Sequence, residues 1–220
     1  MIVSGIELTE LEQDALTEIV NIGVSRAAAS LRKMVGKQVL LSVPAVEIVT
    51  RERAASLLGQ RESNDLVAVR QSFAGAFSGR AMLIFPEDNS LELVRAVTGD
   101  EMSPEDVVAI EDEALAETGN VILNGCLATM ANMLRRPLTM SIPVVCRGPG
   151  RDLFECEPDS GEEGLVLFLY INFSVRERDL RGYIAMMMDM PSLTTLKDLL
   201  GQFIVEVVGE APAGGDEALG

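Results

Sequence analysis

The 220 residues, 48% of them hydrophobic, can bury one large core or two smaller repeated ones. A formal charge of -16 argues against nucleic acid, whose phosphates call for Lys and Arg, and favours a basic group on a partner. The chain has no histidine, which excludes phosphohistidine chemistry, Ser-His and Cys-His dyads and His-ligated zinc.

The first predicted element is a long helix beginning at "LTELEQDALTEIVNIGVSRAAASLRKMVG", with Thr9 as N-cap, Glu12 completing a capping box and Gly36 as the stop. "KQVLLSVPAVEIVT" reads as a strand interrupted at Pro44. "DLVAVRQSFAG" and "SGRAMLIFP" read as a hairpin, and "EDNSLELVRAVTG" as a short helix closing at Gly99. The same order then returns. "MSPEDVVAIEDEALAETGNVILNGCLATMANMLRRP" is predicted as one helix capped by Ser103, with Pro104 at its first position. "LTMSIPVVCR" matches the Pro44 strand, "GLVLFLYINFSV" and "RGYIAMMMDM" match the hairpin, and "SLTTLKDLLGQFI" matches the closing helix. The intervening "GPGRDLFECEPDSGEEG" reads as a loop carrying a small insertion.

The expected fold is α+β: a pseudo-twofold duplicated unit whose strands join in one mainly antiparallel sheet, with the long helices on one face. A single domain is expected over residues 1–208, built from repeats at about 8–99 and 103–206, with a disordered acidic tail over 209–220. No basic region precedes an apolar run at the N-terminus, and acids break every long apolar stretch, so a cytoplasmic protein without membrane insertion is expected. Cys126, Cys146 and Cys156 form no close pair, as suits a reducing compartment.

Two stripes stand out. With about 100° per helical residue, Asp14, Glu18, Asn21 and Ser25 share one line, opposite Leu16, Ile19, Val20, Ala27 and Leu31. Glu113, Glu117, Asn120 and Asn124 repeat the line 99 residues later, opposite Leu115, Thr118, Gly119 and Cys126. Taken singly, each stripe resembles a solvated helix face. Asn is a mediocre mid-helix residue, however, and its recurrence in the same frame points to use. An amide can orient a water, and a carboxylate three residues away can pair with a lysine. Nucleophile, metal cage and glycine-rich phosphate loop are all missing. The stripe is therefore half of a site that completes chemistry on a partner, as water-positioning amides do in GTP hydrolysis.

These residues resemble the CheC/CheX/FliY phosphatases of bacterial chemotaxis. The family's Asp/Ser-x3-Glu-x2-Asn-x22-Pro pattern is matched by Asp14, Glu18, Asn21 and Pro44, and again by Glu113, Glu117, Asn120 and Pro143, with Glu113 in place of the usual Asp or Ser. The resemblance extends over about residues 8 to 206, and the two copies and the chain's length are most similar to the CheC branch rather than to FliY with its added domain. It implies hydrolysis of the aspartyl phosphate on CheY, a response-regulator receiver domain. Asn21 and Asn120 would hold the attacking water, Glu18 and Glu117 would pair with the receiver's lysine, and Asp14 and Glu113 would contact the partner at the rim. Mg²⁺ would come with the receiver, so the chain needs no cofactor of its own. CheD, a deamidase, is implied as a second partner. The competing expectation is a non-catalytic adaptor that holds a receiver or CheD through the same helices.

Overall fold

The computed structural model describes residues 6–36, 38–62, 65–98, 103–155, 165–175 and 178–209. The order is α1 (Glu10–Val35), β1 (Val39–Ser42), β2 (Val46–Thr50), α2 (Arg51–Arg61), β3 (Leu66–Gly75), β4 (Gly79–Pro86) and α3 (Glu87–Thr98). It continues with α4 (Pro104–Ala109), α5 (Glu111–Met133), β5 (Leu138–Met140), β6 (Val144–Gly148), α6 (Gly150–Glu155), β7 (Leu165–Val175), β8 (Arg178–Met188) and α7 (Met190–Gly209).

The strands form one antiparallel sheet in the order β1-β7-β8-β4-β3-β5, with β2 also on β7 and β6 also on β3. Each short strand pair thus crosses to the hairpin of the opposite half of the chain, while β4 and β8 meet at the centre. Strand alternation separates two cores. Val67, Val69, Leu167 and Leu169 face the side occupied by α1, α3, α5 and α7. Leu66, Ala68, Val166 and Phe168 face Leu57, Leu58, Leu153 and Phe154, which belong to α2 and α6. Covering both faces explains why "LVLFLY" reads as an unbroken apolar run.

The long helices lie on one face, as expected, but the sequence reading left the other face bare. Residues 51–61 carried no predicted element, yet they form α2, capped by the Thr50 hydroxyl accepting the Arg53 N–H and burying Ala54, Leu57 and Leu58. Its many charges conceal the i, i+3, i+4 apolar set. The 150–155 segment, read as loop, makes the shorter α6. The expected single helix from Ser103 is also interrupted. Ser103 caps α4 as predicted, accepting the Asp106 N–H, but Ile110 adopts φ -108° and ψ 3°, and α5 starts afresh at Glu111. The Thr9–Glu12 capping box and the left-handed Gly36 stop of α1 are both present. The expected stop at Gly99, Cys156 and the tail from residue 210 lie outside the described residues.

Candidate functional site

Helices α1 and α5 carry the two stripes and pack directly on one another. The contact is backbone-close: a Cβ on Gly23 would fall 2.8 Å from the Cys126 Cα, and one on Gly125 would fall 2.9 Å from the Ala27 Cβ. Gly119 similarly admits Val69 of the sheet, whose Cβ lies 2.5 Å from where a side chain would start. The Arg26 guanidinium donates to the Thr129 hydroxyl across the helix pair at 3.4 Å. The predicted inward residues are all buried, Leu16, Ile19 and Val20 on α1 and Leu115, Thr118 and Cys126 on α5 among them. Tight packing of this kind fixes the rotation of each helix, and so the direction each stripe faces.

The start of α5 is held from two sides. Arg147 on β6 reaches Asp112 at 2.6 Å and Glu111 at 3.3 Å, while Glu111 also accepts the Ser90 hydroxyl at 2.7 Å. The hydrogen bond to Asp112 is the main reason the Arg147 guanidinium is held above its ordinary pKa. This leaves the next acids free. Asp14, Glu18, Glu113 and Glu117 are all exposed. Among the described residues none forms a hydrogen bond or ion pair with them. Each stripe stays on its own helix, with no bond joining one set of acids to the other.

The two asparagines depart from the expectation of an exposed line. Both are half-buried and turn toward the protein. Asn21 Nδ2 donates to the Val43 carbonyl at 2.9 Å, and its Oδ1 accepts the Val43 N–H at 2.9 Å. This two-point clamp gives the spacing of the first copy a physical reason. The residue held is the one immediately before Pro44, already biased toward extended backbone by the proline ring. The chain leaving α1 is thereby returned to the middle of the helix that carries Glu18.

The second copy does not repeat the clamp. Asn120 Oδ1 accepts from Gln71 Nε2 at 3.1 Å and from Asn124 Nδ2 at 2.7 Å. Gln71 Nε2 also donates to the Ser141 carbonyl at 2.9 Å, so a side chain from β3 bridges helix and loop where the first copy joins them directly. The Ser141 hydroxyl takes the Ile142 carbonyl and accepts the Ser72 N–H. Sequence reasoning missed Gln71. The available signal was its place on the inward row of β3, with Val67, Val69 and Phe73, where a 1% exposed glutamine requires a polar partner.

The described residues contain no group of three or more His, Cys, Asp or Glu side chains placed to hold a metal ion. No described helix is long and apolar enough to cross a membrane.

Residues 11–48 match the family model of the CheC-like family, and residues 67–169 match that of chemotaxis phosphatase CheX. The first match contains Asp14, Glu18, Asn21 and Pro44, and the second contains Glu113, Glu117, Asn120 and Pro143. The CheY-P phosphatase CheC of Bacillus subtilis is 22% identical over 205 residues, covering 88% of this chain and 96% of that protein. The flagellar motor switch phosphatase FliY of the same organism is 20% identical over 203 residues, which are 90% of this chain but only 50% of that protein, so the chain spans about half its length. The crystal structure of Thermotoga maritima FliY superposes with a TM-score of 0.70 at 18% identity, covering 90% of this chain and all of that one. With the duplicated element order, the crossed strand pairs and both copies of the motif in place, the chain belongs to the CheC/CheX/FliY family of chemotaxis phosphatases.

Proposed function

We propose that the chain hydrolyses the aspartyl phosphate of a CheY-type receiver domain. The observation that carries this reading is the pairing, on one helix face, of a free exposed Glu18 with an Asn21 amide held rigid by Val43. The amide has two N–H donors and two oxygen lone pairs, and the clamp uses one of each. One donor and one lone pair remain, in an orientation fixed before any partner arrives. A water that donates to that lone pair keeps its own oxygen lone pair for attack on phosphorus.

In the reaction, the water oxygen bonds to phosphorus as the bond from phosphorus to the aspartyl oxygen breaks. The aspartate leaves as its carboxylate, and both water protons depart with inorganic phosphate as H₂PO₄⁻. The chain supplies placement rather than a nucleophile. Fixing the water in line lowers the entropic part of the barrier, as positioning does in phosphoryl transfer generally. Glu18 pairs with the receiver's lysine and sets the docking register. Asp14 adds negative charge one turn earlier. Mg²⁺ arrives on the receiver. Glu117 and Glu113 serve in the same way on α5.

The test is phosphate release from a Mg²⁺-loaded phosphorylated receiver with the protein at one-twentieth of its concentration. All of the receiver is cleared if the chain turns over. A loss limited to one receiver per chain, or no acceleration, supports a holding adaptor instead.

A further inference from the structure

The two copies hold their asparagine amides by different means. In the first, the peptide of Val43, a residue only 2% exposed, fixes Asn21. In the second, the residue before the proline is Ile142, which is 81% exposed and whose carbonyl accepts the Ser141 hydroxyl instead. The last torsion of an asparagine side chain is broad, so an amide without such a clamp turns easily.

Gln71 and Asn124 supply the missing restraint. The Ser141 carbonyl can only accept, so it faces the amide nitrogen of Gln71 at 2.9 Å, and that nitrogen in turn requires the oxygen of Asn120 at 3.1 Å. Asn124 Nδ2 donates to the same oxygen at 2.7 Å. Both lone pairs of Asn120 Oδ1 are thus taken, and Nδ2 keeps its two N–H donors, with no partner among the described residues.

A fastener alone does not account for Gln71. It is 1% exposed in the inward row of β3, and its Oε1 is buried without a hydrogen-bond partner among the described residues. An unpaired buried oxygen destabilises a fold. Apolar side chains fill the inward row of β7, where Leu169 and Ile171 are buried. What Gln71 adds is a donor aimed at one atom of Asn120.

We propose that Gln71 is a positioning residue for hydrolysis at the second site: its amide holds the Asn120 oxygen and so presents Asn120 Nδ2 to the attacking water in one orientation. This rests on the phosphatase reading proposed above. The water accepts an N–H with one oxygen lone pair and keeps the other for phosphorus. As that second lone pair bonds to phosphorus, the bond to the aspartyl oxygen breaks, the aspartate leaves as its carboxylate, and both water protons depart with inorganic phosphate. Gln71 touches neither the water nor the phosphoryl group and acts through Asn120. Since Val43 does the corresponding work for Asn21, the loss of Gln71 is felt at one site only.

The experiment places Gln71→Met, which keeps the length of the side chain without its donor, in two backgrounds. Asn21→Ala leaves the second site at work, and Asn120→Ala leaves the first. kcat and KM for receiver dephosphorylation are measured in each, with folding checked by thermal melting. In the Asn21→Ala protein, Gln71→Met should lower kcat about tenfold and leave KM within about twofold, because Glu113 and Glu117 still meet the receiver. In the Asn120→Ala protein it should change kcat by less than about twofold. Equal losses in the two backgrounds would make Gln71 a general support of the fold, and no loss in the first would make it idle; either result overturns the proposal. So does an Asn21→Ala protein without turnover. A second measurement needs no receiver and no variant: NMR relaxation of the Asn120 side-chain amide should give an order parameter near the rigid-backbone value of about 0.85, and a value below about 0.6 overturns the proposal. A rigid Asn120 amide in an unmodified protein without turnover would defeat the phosphatase reading, and the proposal with it.

Discussion

Asn21 holds both polar groups of the Val43 peptide, its carbonyl and its N–H, each at 2.9 Å. The amide proposed to hold the attacking water is thereby also a fastener between α1 and the loop before β2. Removing it leaves two largely buried backbone groups without partners, a loss of about 1–3 kcal/mol for each. Asn21→Ala should therefore lower the urea midpoint. Asn120→Ala should cost less, because Gln71 keeps its bond to Ser141 and no backbone group is stranded. Equal midpoints for Asn21→Ala and the unmodified protein would contradict the clamp.

The approach of α1 to α5 depends on the missing side chain at Gly23. A methyl group there would sit 2.8 Å from the Cys126 Cα and 2.9 Å from the Gly125 carbonyl oxygen, both backbone atoms that move only with the helix. Gly23→Ala should destabilise by about 1–3 kcal/mol through overpacking, despite alanine's better helix propensity. Gly201, whose added Cβ would meet nothing within 4 Å, is the control: Gly201→Ala should be neutral or stabilising. Equilibrium denaturation of the two variants measures the contrast.

Asp189 precedes α7 and accepts the Ser192 N–H at 2.9 Å, and the Ser192 hydroxyl lowers its pKa further than the backbone bond does. A carboxyl whose native pKa is depressed stabilises the fold fully above the ordinary aspartate value of about 4 and loses that contribution as the pH falls through the lowered native value. The difference in melting temperature between the unmodified protein and Asp189→Ala should be constant near neutrality and shrink in that acidic range. A difference that grew on acidification would contradict the cap.

Cys126 lies between the two site helices, and burial alone pushes its thiol up to about 12. It should resist iodoacetamide at neutral pH while the protein is folded, since the thiolate is the reactive form. Peptide mapping after alkylation should find Cys146 labelled in the native protein and Cys126 labelled only in urea. Native labelling of Cys126 would show that α1 and α5 separate in solution.

Much of this was legible before any coordinates. The capping box at Thr9, the interruption at Pro44 and the duplicated hairpins follow from local patterns, and all are present in the structure. Charged α2 and short α6 were hidden because a helix that buries only one narrow stripe gives a weak pattern. The positions of the acids on their helices were legible, since exposure follows from helical phase. What the asparagines hold was not. Their partners, Val43 in one site and Gln71 in the other, come from tertiary contacts 22 and 49 residues away, and a helix wheel carries no such information. The identical spacing of the two motifs therefore concealed a difference in their hydrogen bonding.

The central claim is that asparagine, rather than general acidity of the helix face, performs the hydrolysis. The most direct measurement is the single-turnover rate of phosphate loss from a phosphorylated receiver saturated with the Asn21→Ala/Asn120→Ala protein, compared with the unmodified protein under the same conditions. The predicted result is a fall of roughly 100-fold or more, about 2.7 kcal/mol of barrier, to the receiver's own spontaneous rate, with the complex still formed through Glu18 and Glu117. A rate within twofold of the unmodified protein would contradict it.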